Sequence, residues 1–327
     1  MEFRLDEGQI ELQRTVARFC ADRFPLDALA DREGRPVQAD DWQALADLGV
    51  LGLLVPETDG GSGLGVVDAA LVFEQLGDHL VPGPVLWSLL AAPLVGDVVT
   101  GGCMVAGVES SALSDGAVVV DHAAEIDVLL VVHPDHVSAH RLADLPAPVP
   151  LDAVDPLATV GRINGLGEGD RVGDAATAAQ LRLLGTVLAS AMLVGVSDRS
   201  LRVARDYALE RHQFGVPIGS FQAIKHLLAD MYVRTQCAQS AMYAAAAVLD
   251  DPDSSDPARA AAGAKLLAAD AAIENATTAI QVLGGMGFTW DMLPNHLLKR
   301  AWATEQDFGT IDDHAAHLGA TIDAMAS

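Results

Sequence analysis

The chain has 327 residues, of which 50% are hydrophobic and only 5% aromatic, and its formal net charge is −25. That length suits one large domain or two to three small ones, and a core built mostly of Ala, Leu and Val suits packed helices. The charge repels nucleic acid and anionic membrane alike, so any phosphate ligand needs a locally positive patch.

In chain order, residues 5–100 read as helical. Leu5, Ile10, Leu12, Val16 and Phe19 recur near helical spacing, as do Trp42, Leu45 and Leu48. Helix breakers cluster in VPETDGGSGLG, residues 55–65, which reads as a loop before a second helix over about 67–76. Pro82, Gly83 and Pro84 mark a further turn. Residues 102–173 differ: GAVVVDHA, IDVLLVVH and DHVSAHRL are short β-branched runs bounded by turn signals and prolines, the mark of strands in a small sheet. From residue 175 the helical pattern returns. A long run covers 178–210, a second starts near Phe221, a third starts near Pro257 and stops at Gly284-Gly285, and a shorter one begins near Leu293. Four such helices make an antiparallel bundle. The predicted class is mainly α with a small β middle domain, divided into 1–101, 102–174 and 175–327.

The amino-terminal stretch MEFRLDEGQIELQ is charged and lacks the apolar run of a signal peptide. The longest apolar stretches, such as residues 187–196, fall short of the roughly 18 residues of a membrane span. Cys20, Cys103 and Cys237 are far apart and odd in number, which reads as reduced thiols in a cytoplasmic protein. His314 and His317 have a spacing that can bind metal, but without a clear third ligand they read as helix-surface residues, and no metal is expected. Trp42, Trp87, Trp290 and Trp302 read as packing residues.

Two blocks in the last region carry a family resemblance. RDYALERHQFGVPIGSFQAIKHLLADM, residues 205–231, resembles the Arg-x-x-Phe-Gly block of the acyl-CoA dehydrogenase family, and QVLGGMGFT, residues 281–289, resembles its Gln-x-x-Gly-Gly-x-Gly block. The order of helices, small β region and helical bundle matches as well. The resemblance implies α,β-dehydrogenation of an acyl-CoA thioester with FAD. It implies that Arg211, Phe214, Gln281, Gly284 and Gly285 hold the ADP half of an FAD bound mainly by a neighbouring subunit. The physics agrees: a pyrophosphate suits a guanidinium, and glycines let backbone N–H groups approach closely. Residues 199–234 carry Arg199, Arg202, Arg205, Arg211, Lys225 and Arg234 against three acids, a positive segment in an acidic chain.

The chain departs from the family pattern at the base. In GGMGFTWDMLPNHLLKRAWATEQDFGT, residues 284–310, Phe308 occupies the usual glutamate position. The alternative base position, on the first long helix of the last region, falls on Gly185, with Thr186 beside it. Asp307 and Glu305 are the nearest carboxylates and the candidates for a displaced base, although a one-residue shift is a large change for proton transfer. No residue run in 102–173 matches the family loop that lies against the flavin ring. The expectation is therefore a helper subunit of a heteromeric, α2β2 enzyme, with a longer homologous partner supplying the base and most of the acyl-CoA site. Within the family, such heteromers point to bulky substrates such as steroid side-chain CoA thioesters of actinobacteria. Two other readings stay open: a self-sufficient flavoenzyme with a displaced base, and a flavin-free structural or acyl-CoA-binding homologue.

Overall fold

The computed structural model describes residues 5–290 and 292–326; residues 1–4 of the charged amino-terminal stretch lie outside the described residues. The fold is mainly helical with a small β region. It divides into two compact units, each built from separate stretches of chain: Met1–Ala30, Ala70–Val81 and Thr186–Ser327 in one, Asp31–Ala69 and Pro82–Gly185 in the other.

In the first unit, α1 (Glu7–Arg23) opens on a capping box: Asp6 Oδ1 accepts from Gln9 N at 2.8 Å, and Gln9 Oε1 accepts from Asp6 N at 3.2 Å. The unit takes the carboxyl-terminal part of α3 (Val66–Asp78), most of α5 (Ala175–Glu210), and then α6 (Gln222–Asp250), α7 (Pro257–Leu283), α8 (Leu293–Glu305) and α9 (Ile311–Ala326). Helices α5 to α8 are the four the sequence predicts, and α9 adds a fifth. Helix α7 is central and packs against α6, α8 and α9. Most of its buried residues are alanines, including Ala261, Ala264, Ala268, Ala272, Ala276 and Ala279. Small side chains on both sides of a crossing let helices approach closely, which is how this chain builds a core with few aromatics. The approach is close where α3 crosses α5. A Cβ at Gly195 would lie 2.0 Å from the Glu74 carbonyl oxygen, so only glycine fits there. Helix α5, at 36 residues, is long and apolar enough to cross a membrane, contrary to the reading by apolar run alone. Because 67% of its most apolar stretch is buried within the protein, it is a core helix.

One polar knot sits inside this alanine-rich bundle. Asn275 on α7 is fully buried. Its amide nitrogen donates toward Ser197 Oγ (2.8 Å), Thr235 Oγ1 (2.9 Å) and the Met231 carbonyl (3.0 Å), and its oxygen accepts from Arg234 at 3.1 Å. The amide has two hydrogens for three acceptors, so they are shared. Helices α5, α6 and α7 are thereby set in one register.

The second unit holds α2 (Ala39–Asp47), α4 (Val85–Ala91) and seven strands: β1 (Val105–Glu109), β2 (Ala117–Asp121), β3 (Val128–Val132), β4 (His136–Arg141), β5 (Val149–Leu151), β6 (Val160–Asn164) and β7 (Asp170–Asp174). They form a four-stranded sheet, β1-β3-β4-β7, and a three-stranded sheet, β2-β6-β5. Only β1 and β3 pair in parallel. Val118, Val120 and Ile163 from one sheet meet Ala106, Leu129 and Val131 from the other in a shared core. The three sequence-predicted strands are β2, β3 and β4. Strand β7 is exposed and polar, with no apolar run to announce it. Trp42 and Trp87 are buried here, as predicted, with Gly107 leaving room for the Trp87 ring. The PETDGGSG loop contains a short 3-10 turn, Glu57–Asp59, with its acids exposed.

Candidate functional site

Helices α5 and α7 end on the same side of the bundle. There Ala204 and Ala208 of α5, Met231 of α6, and Ala279 and Val282 of α7 pack together. The chain leaving α5 folds at once into a hairpin, β8 (His212–Gln213) with β9 (Val216–Pro217). The Ile218 N–H closes it onto the Arg211 carbonyl at 2.7 Å. Its two-residue tip is Phe214-Gly215, with φ of 55° and 81°. Positive φ at both positions is the primed turn geometry that suits a tight hairpin, and asparagine or glycine is the usual first residue. Phenylalanine there is strained, and its ring is 95% exposed, set edge-on to Phe221 with the ring centroids 6.2 Å apart.

Of the six cations in residues 199–234, four are engaged within the protein. Arg199 and Arg202 both grip Asp78, which is buried, so they belong to the interior of this unit rather than to a solvated helix face. Arg205 pairs with Asp206, and Arg234 with Asn275. The side chain of exposed Arg211 has no hydrogen-bond or ion-pair partner among the described residues. Gln281, on the last turn of α7, is likewise exposed and unpartnered through its side chain. Beyond it, Gly284 caps α7 at φ 64°, ψ −139°, a conformation only glycine adopts readily, and Gly285 faces open space. Tyr207 of α5 reaches this segment through Met286 Sδ at 3.9 Å. Phe288 and Trp290 are 79% and 59% exposed, and Lys299 stands 3.0 Å over the Trp290 ring. Trp290 and Trp302 are thus surface residues, a correction to the packing role expected of them, because they lie on outward faces of the segment and of α8.

The turn between α8 and α9 is built differently. Phe308 is buried and adopts φ 57°, followed by Gly309 at 95°. Three successive carbonyls are held by side chains from two helices. Lys265 on α7 donates to the Asp307 oxygen and, at 3.2 Å, to the Gly309 oxygen, while His314 Nε2 donates to the Phe308 oxygen at 2.9 Å. Lys265 is fully buried, and burial pushes its ammonium down to about 8 despite the pull of Asp307 and Glu305. Burial, with Lys265 beside it, also lowers His314. Buried Glu305 is engaged: one oxygen accepts from Ile311 N at 2.7 Å at the start of α9, the other from Gln306. Asp307 is half-buried next to Lys265. In the other unit, Gly185 is buried on α5. Among the described residues, no group of three or more His, Cys, Asp or Glu side chains could hold a metal ion. The sequence reading missed Lys265, whose signal was a single lysine on an otherwise alanine face, and it gave His314 no role.

Residues 6–98 match the acyl-CoA dehydrogenase N-terminal domain, and residues 179–322 match the acyl-CoA dehydrogenase C-terminal domain. The acyl-CoA dehydrogenase IpdE2 of Mycobacterium tuberculosis is 31% identical over 81% of this chain and 81% of its own length. The chain belongs to the acyl-CoA dehydrogenase family. The acyl-CoA dehydrogenase FadE34 of the same organism is 35% identical over 80% of this chain, but this chain spans only 40% of its length. The crystal structure of the ChsE4-ChsE5 complex from Mycobacterium tuberculosis shares the fold, with a TM-score of 0.86 and 24% identity over 99% of each chain. The acyl-CoA dehydrogenases are oxidoreductases, and their cofactor is FAD. The residues at the α5–α7 end fit that cofactor's ADP half: an unpartnered guanidinium, an exposed aromatic ring, a free amide and an open glycine backbone.

Proposed function

We propose that this chain is the base-lacking subunit of a heteromeric acyl-CoA dehydrogenase. In that role it grips the ADP half of an FAD whose flavin end, catalytic carboxylate and acyl-CoA site belong to a longer homologous partner, in an α2β2 assembly. The observation that carries the reading is a contrast. The turn at the family's base position is fully locked around a buried phenylalanine, whereas Arg211, Phe214 and Gln281 stand exposed and unused by this chain. Glu305 is already engaged at the start of α9, which weighs against a self-sufficient enzyme with a displaced base. Asp307 lies beside a buried ammonium that holds its turn.

FAD, when bound, supplies the hydride acceptor for α,β-dehydrogenation of the thioester. The work of this chain is binding. Arg211 would neutralise the pyrophosphate, Phe214 and Gln281 would help to hold the ADP half, and Gly284 and Gly285 would let the backbone approach. By the resemblance, the substrate is a bulky acyl-CoA such as a steroid side-chain thioester. The three unpaired cysteines support a cytoplasmic location. Arg211→Ala in the co-expressed complex tests the reading. Loss of FAD with assembly intact supports it, and unchanged FAD content favours a flavin-free structural role.

A further inference from the structure

In the second unit, the β3–β4 hairpin buries a polar chain on the face that carries Leu129 and Val131. Ser138 is fully buried on β4, opposite Val131 of β3, and two residues along His140 lies opposite Leu129. Val131 and Leu129 are part of the core between the two sheets, so by strand alternation Ser138 and His140 point the same way. The Ser138 hydroxyl lies 3.1 Å from His140 Nε2 and 3.1 Å from His133 Nε2. It has no other partner among the described residues. The His133 ring in turn stacks on His136 at 4.2 Å, with the planes 2° apart. Gly169, at φ 67°, makes room for the His140 ring, because a Cβ there would come within 2.6 Å of it.

A hydroxyl has one hydrogen. In the neutral relay it donates to one ring nitrogen and accepts from the N–H of the other. When the accepting ring takes a proton, both rings become donors and the hydroxyl hydrogen has no acceptor in a buried place. The new imidazolium then faces the other ring's N–H across a single oxygen, with His136 stacked alongside His133, and protonation of that second ring would set two imidazolium rings against each other. We propose that His133, Ser138 and His140 form an acid-sensitive latch that ties the β3–β4 turn to the inner face of the four-stranded sheet and releases it on protonation.

The surrounding charges do not remove that bias. Asp135 is engaged with His136 at 2.8 Å and Glu109 of β1 with Arg182 of α5 at 2.7 Å. On β7, Arg171 pairs in register with Ser138, Asp170 with Ala139 and Asp174 with His136. Asp170 favours a proton on His140, and Asp135 favours one on His133. Burial and the neighbouring imidazoles outweigh them and hold both rings below the ordinary histidine range, with Arg182 adding to the effect on His133.

The test is a histidine NMR titration of the full chain from pH 8 to 5, with amide exchange of the β3–β4 hairpin followed alongside. The latch requires His133 and His140 to titrate below about 6.5, the midpoint of a free histidine. It also requires H140Q to raise the His133 midpoint and S138A to uncouple the two rings. Hairpin protection, corrected for intrinsic exchange and referenced to α6 amides, should fall at least tenfold at acid pH in the natural chain and hold in H133Q/H140Q. Independent titration of the two rings at the ordinary value overturns the proposal, and so does acid loss that persists in the double variant. If the double variant does not fold, the coupling seen or missing in S138A decides.

Discussion

The carbonyl oxygen of Phe308 accepts a hydrogen bond from His314 Nε2 at 2.9 Å, between two carbonyls already held by Lys265. A carbonyl only accepts, so the proton of His314 lies on Nε2. The turn is thus fixed on three successive carbonyls around a residue that cannot take a proton. A strained residue persists only where its surroundings over-determine it, and here two side chains do so.

Lys265→Met removes the donors of two backbone oxygens and should lower stability by about 1–3 kcal/mol. The pH dependence adds a second signature. The folded lysine loses its proton at about 8 and the unfolded one at about 10.4. Between those values the unfolded chain binds more protons, so stability rises with pH across that window. The difference between the natural chain and the variant should widen from pH 7.5 to pH 9.5 in urea denaturation.

Phe214→Gly separates folding from binding. Glycine adopts the tip geometry without strain, and a phenylalanine 95% exposed contributes little packing. The variant should match or exceed the natural stability, by up to about 1 kcal/mol, yet lose FAD from the co-expressed complex. Thermal melting and flavin absorbance check the two halves.

Asp78→Asn leaves two guanidinium groups facing a neutral amide in a buried place. A loss of about 3 kcal/mol is expected, measurable by chemical denaturation, with the bundle end around Arg211 unaltered.

Asn275→Ala strips the shared donor from three acceptors and leaves Arg234 without its oxygen. A cost of about 1–3 kcal/mol is expected. Slower amide exchange at Ser197 and Thr235 in the variant would contradict the role given to this knot.

Much of the fold was legible because its helices carry strong periodicity and clear stops: Pro257 begins α7 and Gly284 ends it. Strands β2 to β4 announced themselves by β-branched runs, whereas β7, exposed and charged, carried no such signal. Phe214 and Arg211 could be singled out because a motif surrounds them. Lys265 could not, since its significance depends on carbonyls more than forty residues away meeting it in space. Arg199 and Arg202 could be counted only as part of a positive segment until folding brought Asp78 to them, and the exposure of Trp290 depends on which way a short segment faces.

The central claim is a divided site, and FAD stoichiometry tests it most directly. The chain would be purified alone and then co-expressed with its longer homologue, and flavin and mass measured for each. The account predicts a colourless chain alone and a yellow complex with about one FAD for every two chains. A chain that is yellow and saturated by itself, turning over an acyl-CoA, would contradict it and make Asp307 and Glu305 the carboxylates to mutate next.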